Sequence, residues 1–190
     1  MFSKYKGTYG YLKKQPVRTG LISLGMVAFS AFIFLFGYYK THDVKNLFTL
    51  LAVLGMLPAS KAIVSFIMSI KAEKYTCSKE LYEKTGPFLK DSDVVHGYDF
   101  YLTSLKENFP IPVCIVCDKS VICYLTDKKL QSSCVEHINK YLDSNGFNDY
   151  KAFVLTEEDK FINRLKTAST SSETSEKDTL VLNLMKNLSI

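Results

Sequence analysis

The sequence predicts an α+β protein: a two-helix transmembrane hairpin at the N-terminus, then a small mixed-sheet domain whose elements run α-β-β-β-α-β-α. Three observations carry this. Two long apolar stretches, residues 20–39 and 47–70, flank a seven-residue connection. Between residues 78 and 165, short β-branched and aromatic runs alternate with stretches of helical periodicity. A polar, low-complexity run, TASTSSETSEKD at 167–178, sets that region apart from a last apolar segment.

Residues 1–18 form a basic, aromatic arm, in which Pro16 is expected to break any helix before the membrane. The hairpin occupies residues 19–70. At helical rise the first stretch, which has no charge, spans about 30 Å, the hydrocarbon thickness of a bilayer. It is too long for a signal-peptide core, and bulky Tyr38-Tyr39 follows where a cleavage site would need small residues. Two spans with so short a loop must return through the same membrane. The first 18 residues carry five Lys or Arg and no acid, whereas the loop holds Lys40, Lys45 and Asp43. The positive-inside rule therefore puts both termini in the cytosol. In the second span Pro58 and Lys61, three residues apart, share a helix face. One reading has Lys61 snorkel to the inner interface, or the span end there with residues 62–70 along the surface. The other makes Pro58 and Lys61 the candidate interaction residues of the membrane part, since an intramembrane cation asks for a partner.

Residues 71–166 should form the cytosolic α+β domain. A short helix over 78–84 stops at Gly86-Pro87, and a strand covers 94–105. Residues 108–112 read as a connection, 113–117 as a buried strand and 118–120 as a hairpin turn; 121–126 returns. A helix over 129–144 presents Leu130, Cys134, Ile138, Tyr141 and Leu142 on one face and stops at Asn145-Gly146. A strand at 150–155 and a helix through 165 complete the set. Residues 167–178 are expected to be a flexible linker. Residues 179–190 are expected to form an amphipathic docking helix, with Val181, Leu184, Met185 and Leu188 in one stripe.

Charge distribution argues against nucleic acid as a partner. The net +5 sits on the N-terminal arm and beside the membrane, while residues 71–166 hold fourteen basic against fifteen acidic side chains. The five cysteines, an odd number in a reducing compartment, read as free thiols. Cys114, Cys117, Cys134 and His137 have the spacing of a structural zinc site, C-x-x-C, sixteen residues, C-x-x-H. Ile115-Val116 set the first pair in an apolar strand, however, where residues three apart face opposite sides, so core packing is the better reading. No Walker A loop or G-x-G-x-x-G occurs, and no histidine is placed by the sequence beside a thiol.

The element order over 78–165 is similar to the core of restriction-endonuclease-like folds. That resemblance implies an acid on one strand and an acid-x-Lys on the next, binding a divalent metal. The nearest candidates are Asp99, Asp118 and Asp127. Asp118 falls in a turn and Asp127-Lys128-Lys129 past a strand end, so neither forms the motif within a strand.

The sequence thus leads to a membrane-anchored, non-enzymatic interaction or scaffold protein within an oligomeric membrane assembly. Its partners would be the lipid bilayer and either a second copy or another membrane protein, with no cofactor, catalytic residue or small-molecule substrate identified. One alternative is a metal-dependent nuclease or hydrolase, which the resemblance implies. Another is an accessory subunit of a transport complex, which would give Lys61 its role.

Overall fold

The structure, a computed structural model, describes residues 6–90, 92–104, 106–171 and 175–190. It has two compact units, one made of the N-terminal residues to Leu12 with Tyr75–Ile190, the other of Lys13–Lys74.

In the second unit α1 (Tyr11–Thr41), which begins in the first, is followed by α2 (Leu47–Glu73). Pro16 lies inside α1 and does not end it. Asn46 caps α2, accepting from the Thr49 N–H at 2.8 Å, and its amide donates to Thr41 Oγ1 at 2.8 Å, so the connection is tied at both ends. The seam between the helices is made of small and polar residues. Ser23, Ser30, Ala52, Ala59 and Ser69 are buried there, and the Thr19 and Ser69 hydroxyls meet at 2.7 Å.

The first unit is a four-stranded mixed sheet with helices on both faces, in the order β1-β2-β3-β4. Strands β1 (Val95–Thr103), β2 (Asn108–Cys117) and β3 (Ser120–Tyr124) are antiparallel neighbours. The α4 (Gln131–Ser144) crossover brings β4 (Lys151–Leu155) in parallel to β3. The predicted element order is therefore present. The β2–β3 loop is the two-residue turn Asp118-Lys119, both at positive φ (47° and 56°), which matches the strand twist. Helices α4 and α6 (Glu176–Leu188) cover one face, over Phe100, Leu102, Phe109, Ile111, Cys114 and Cys123. On the other face α3 (Lys79–Lys90) and α5 (Glu158–Ser171) cover Tyr98, Val113, Ile115 and Ile122.

Several boundaries differ from expectation. Helix α3 runs through Gly86-Pro87 to Lys90, because Leu81, Thr85, Gly86 and Leu89 share a buried face whose packing outweighs the lost proline donor. Residues 108–112 belong to β2 and are not a connection. β3 ends at Tyr124, opposite Val113, so Pro110 and Pro112 face no strand on that side and need no donor there. In the expected linker, α5 extends to Ser171 and Ser175 already caps α6, while residues 172–174 lie outside the described residues. Ala168, inside that stretch, is buried against the α3/α5 core.

The middle of β1 departs from simple alternation. Tyr98 faces one core, yet both Phe100 and Leu102 face the other. Opposite them Val113 and Ile111 switch faces in the same way. The switch falls at Asp99, which has φ 58°, across from Pro112, which has no N–H to offer. The two strands flip together, so register is kept on both sides of the break.

Candidate functional site

No charge should sit well in the interior of an apolar strand, yet Asp99 does, fully buried between Tyr98 and Phe100. The backbone break at Asp99 aims its carboxylate out of the ladder. Oδ1 accepts the Cys77 N–H at 2.6 Å. The backbone N–H groups of Gly10, Leu12 and Tyr11 also favour its ionised form, while burial is stronger and pushes the carboxyl above its usual range. Tyr11 and Leu12 open α1, so Asp99 stands at that helix's positive end. Cys77 follows α2. One side chain therefore binds the chain where it enters the hairpin and where it leaves.

The arm is built into the same place. The sequence reads residues 1–18 as one arm beside the membrane; residues 1–5 lie outside the described residues. Instead, residues 6–12 belong to the α+β unit. The Gly7 carbonyl accepts the Tyr98 N–H at 2.9 Å, and Tyr9 stacks on Tyr82 with ring centroids 4.0 Å apart. Tyr11 and Leu12 are buried. Glycine at 97 permits this approach, since a Cβ there would stand 2.7 Å from the Phe100 ring and 3.3 Å from the Gly7 oxygen.

The C-terminal segment closes the rest of that sheet edge. The Ile190 N–H donates to the Tyr101 carbonyl at 3.2 Å, the Tyr101 N–H to Ser189 Oγ at 2.9 Å, and Lys6 Nζ to the Ser189 carbonyl at 2.6 Å. In α6, Val181, Leu182 and Met185 are buried in the core, and Leu184 and Leu188 pack half-buried beside them. The helix starts three residues earlier than expected because Asp178 completes a capping box with Ser175 and also accepts the Tyr150 hydroxyl at 2.7 Å. Leu182, absent from the expected stripe, is more deeply placed than Leu184. At the opposite edge α4 supplies side chains to β4: Asn139 accepts the Ala152 N–H at 2.8 Å and Gln131 donates to the Val154 carbonyl at 2.7 Å.

The other candidates are dispersed. Cys114 and Cys134 lie in the α4/α6 core and Cys117 in the α3/α5 core, so the zinc-like set is split across the sheet. Cys114 and Cys123 are cross-strand neighbours with sulfurs 3.4 Å apart, both as thiols. Asp118 is exposed in the hairpin turn, and Asp127 caps a 3₁₀ turn, accepting from the Lys129 N–H at 3.0 Å. Neither joins Asp99, and no group of three metal-ligating side chains occurs among the described residues.

In the helical unit both α1 and α2 are long and apolar enough to cross a membrane. Their apolar side chains are mostly exposed, Leu21, Phe29, Phe32, Leu47 and Leu57 each by 65–68 %. Pro58 and Lys61 are exposed as well. No known protein family, curated protein or solved structure matches this chain.

Proposed function

We propose that the protein is a non-enzymatic membrane-anchored scaffold. The hairpin crosses the bilayer twice with both termini in the cytosol, and the α+β unit is the rigid domain it displays within an oligomeric membrane assembly. The observation that carries this reading is the solvent each unit calls for. The helical unit exposes apolar side chains all round and keeps its small and polar residues on an inner seam, an arrangement suited to lipid and not to water. The α+β unit is a conventional water-soluble sandwich whose sheet edges are covered and whose thiols are buried. The Asp99 node suits a scaffold, because it ties residues 10–12 and Cys77, which flank the hairpin in the chain, into the folded domain.

The test uses the full chain in cell membranes. The chain should resist extraction by alkaline carbonate. With single cysteines introduced in turn, an impermeant maleimide should reach Asp43→Cys only from the outer or lumenal side and Lys106→Cys only from the cytosol. The five native thiols are buried and give little background. Release by carbonate would refute the membrane reading, and inverted labelling would refute the topology.

A further inference from the structure

With the hairpin in the bilayer as proposed above, Lys61 sits where neither water nor another side chain of the described residues neutralises it. Side-chain pairs across the seam set its depth. Thr19 meets Ser69, a Cβ on Gly20 would meet Phe66, a Cβ on Gly55 would meet Ser30, and a Cβ on Gly37 would meet Phe48. The helices are therefore antiparallel in a fixed register, with Arg18 near the level of Ser69 and Lys40 near the level of the connection. Between these two cations α1 is free of charge, over about 31 Å of helix. Lys61 lies eight residues, about 12 Å, from the level of Ser69 and fourteen residues, about 21 Å, from Leu47. A lysine stem reaches about 6 Å. The Cα–Cβ bond also leans toward the N-terminus of α2, away from the nearer boundary and into the hydrocarbon.

Its direction is equally restricted. Ala59 is buried on the seam, and Lys61, two residues on, is turned about 200° from it and faces outward. Pro58 shares that outward face, and having no N–H it leaves the Leu54 carbonyl without its helical donor. The nearby hydroxyls are already satisfied, Ser60 by the Met56 carbonyl and Ser65 by the Lys61 carbonyl, both at about 3 Å. Lys61 Nζ has no hydrogen-bond or ion-pair partner among the described residues. Between Arg18 and Lys71 the only acid is Asp43, in the connection.

Resting on the membrane reading above, we infer that the Pro58–Lys61 face of α2 is the docking surface for a transmembrane helix of a different protein, one that places an Asp or Glu carboxylate against Lys61. Charge complementarity selects this occupant. A second copy of the chain brings no intramembrane acid and would add a like charge. A lipid phosphate lies beyond the reach of the stem.

The experiment uses the full chain in the membranes of the cell that makes it. Alkaline-carbonate resistance is scored first, so that failure of the membrane reading is seen separately. Membranes are then treated with dicyclohexylcarbodiimide. This reagent activates a carboxyl buried in lipid, which Nζ attacks to form an amide, the carboxyl oxygen leaving in the urea. Mass spectrometry should find Lys61 joined to an Asp or Glu within an apolar segment of another polypeptide. In mild detergent the share of chain in the larger complex should fall about tenfold for Lys61→Met and be retained for Lys61→Arg, which keeps the cation. For a carbonate-resistant chain, three results would overturn the inference: no Lys61 amide with Lys61→Met leaving complex size unchanged, an amide to a second copy, or equal loss in both variants.

Discussion

Asp99→Ala removes the acceptor shared by the two roots of the hairpin. The Cys77 N–H, bonded at 2.6 Å to Oδ1, would be left buried without an acceptor, at about 1–3 kcal/mol. The first turn of α1 would lose a carboxylate at its positive end, at about 0.5–2 kcal/mol. The backbone at φ 58° would hold a residue without the local polar contacts that make this conformation tolerable, at about 1 kcal/mol. The expected sum is about 2.5–6 kcal/mol. Asp99→Gly should recover only the backbone part. The assay is urea unfolding of the detergent-held full chain, with hydrogen exchange at Cys77, Tyr11 and Leu12. A loss below about 1 kcal/mol with those amides still protected would refute the anchoring role. Asp99→Asn tests the charge. Burial raises the native carboxyl above its ordinary 3.8, so the native state binds its proton more tightly than the unfolded chain. This contribution is fully present below that pH and is lost as pH rises through the native value. Wild-type stability should therefore fall across that window relative to Asp99→Asn, whose amide does not titrate. Parallel profiles would refute the assignment.

Three further outcomes follow from the packing. Leu182→Ala should cost about 2–5 kcal/mol, whereas Leu180→Ala, at a side chain 56 % exposed, should cost under about 0.5, both read from urea midpoints. In the hairpin, Gly37→Leu should part the helices, since even a Cβ there collides with Phe48, while Gly25→Leu should be tolerated because its Cβ position is open. The check is disulfide trapping between Ser30→Cys and Gly55→Cys, which should fall in the first variant only. Burial and the nearby Asp99 push the Cys77 thiol to about 12, and burial with Cys114 does the same for Cys134. Both should therefore react with Ellman's reagent at pH 8 roughly a thousandfold more slowly in the folded chain than in urea.

Much of the fold was legible from periodicity. The elements of the sheet domain appear in the expected order because alternation and helical spacing are local properties that burial on one face then enforces. Boundaries depart from the local signal where tertiary packing overrides it. Gly86-Pro87 reads as a stop, but the helix continues because Leu89 completes its buried face. Pro110 and Pro112 read as a loop, but they fall on a stretch of strand paired on one side only. The run at 167–178 reads as a linker from composition, but Ala168 and Asp178 each have a buried place to go.

The candidate site was legible in part. Pro58 and Lys61 stand out in the sequence because a proline and a cation in an apolar span break its uniformity. Asp99 gives the same kind of signal, an acid between aromatic residues in a strand, but its partners, Cys77 and residues 10–12, lie far off in the sequence and no local pattern points to them.

Hydropathy and period depend only on the order of residues, so the amino-acid sequence alone reveals two helices long and apolar enough to cross a membrane ahead of an α+β domain. The long-range contacts, by contrast, come from the folded chain, where Asp99 draws Cys77 and the segment before Lys13 into the α+β unit. Asp99, Gly7, Tyr9 and Cys77 are separated by up to 92 positions, and their contacts pair polar groups whose partners no local pattern encodes. The tertiary structure likewise decided that Lys61 faces away from α1, because direction around a helix follows from which face the neighbouring helix takes.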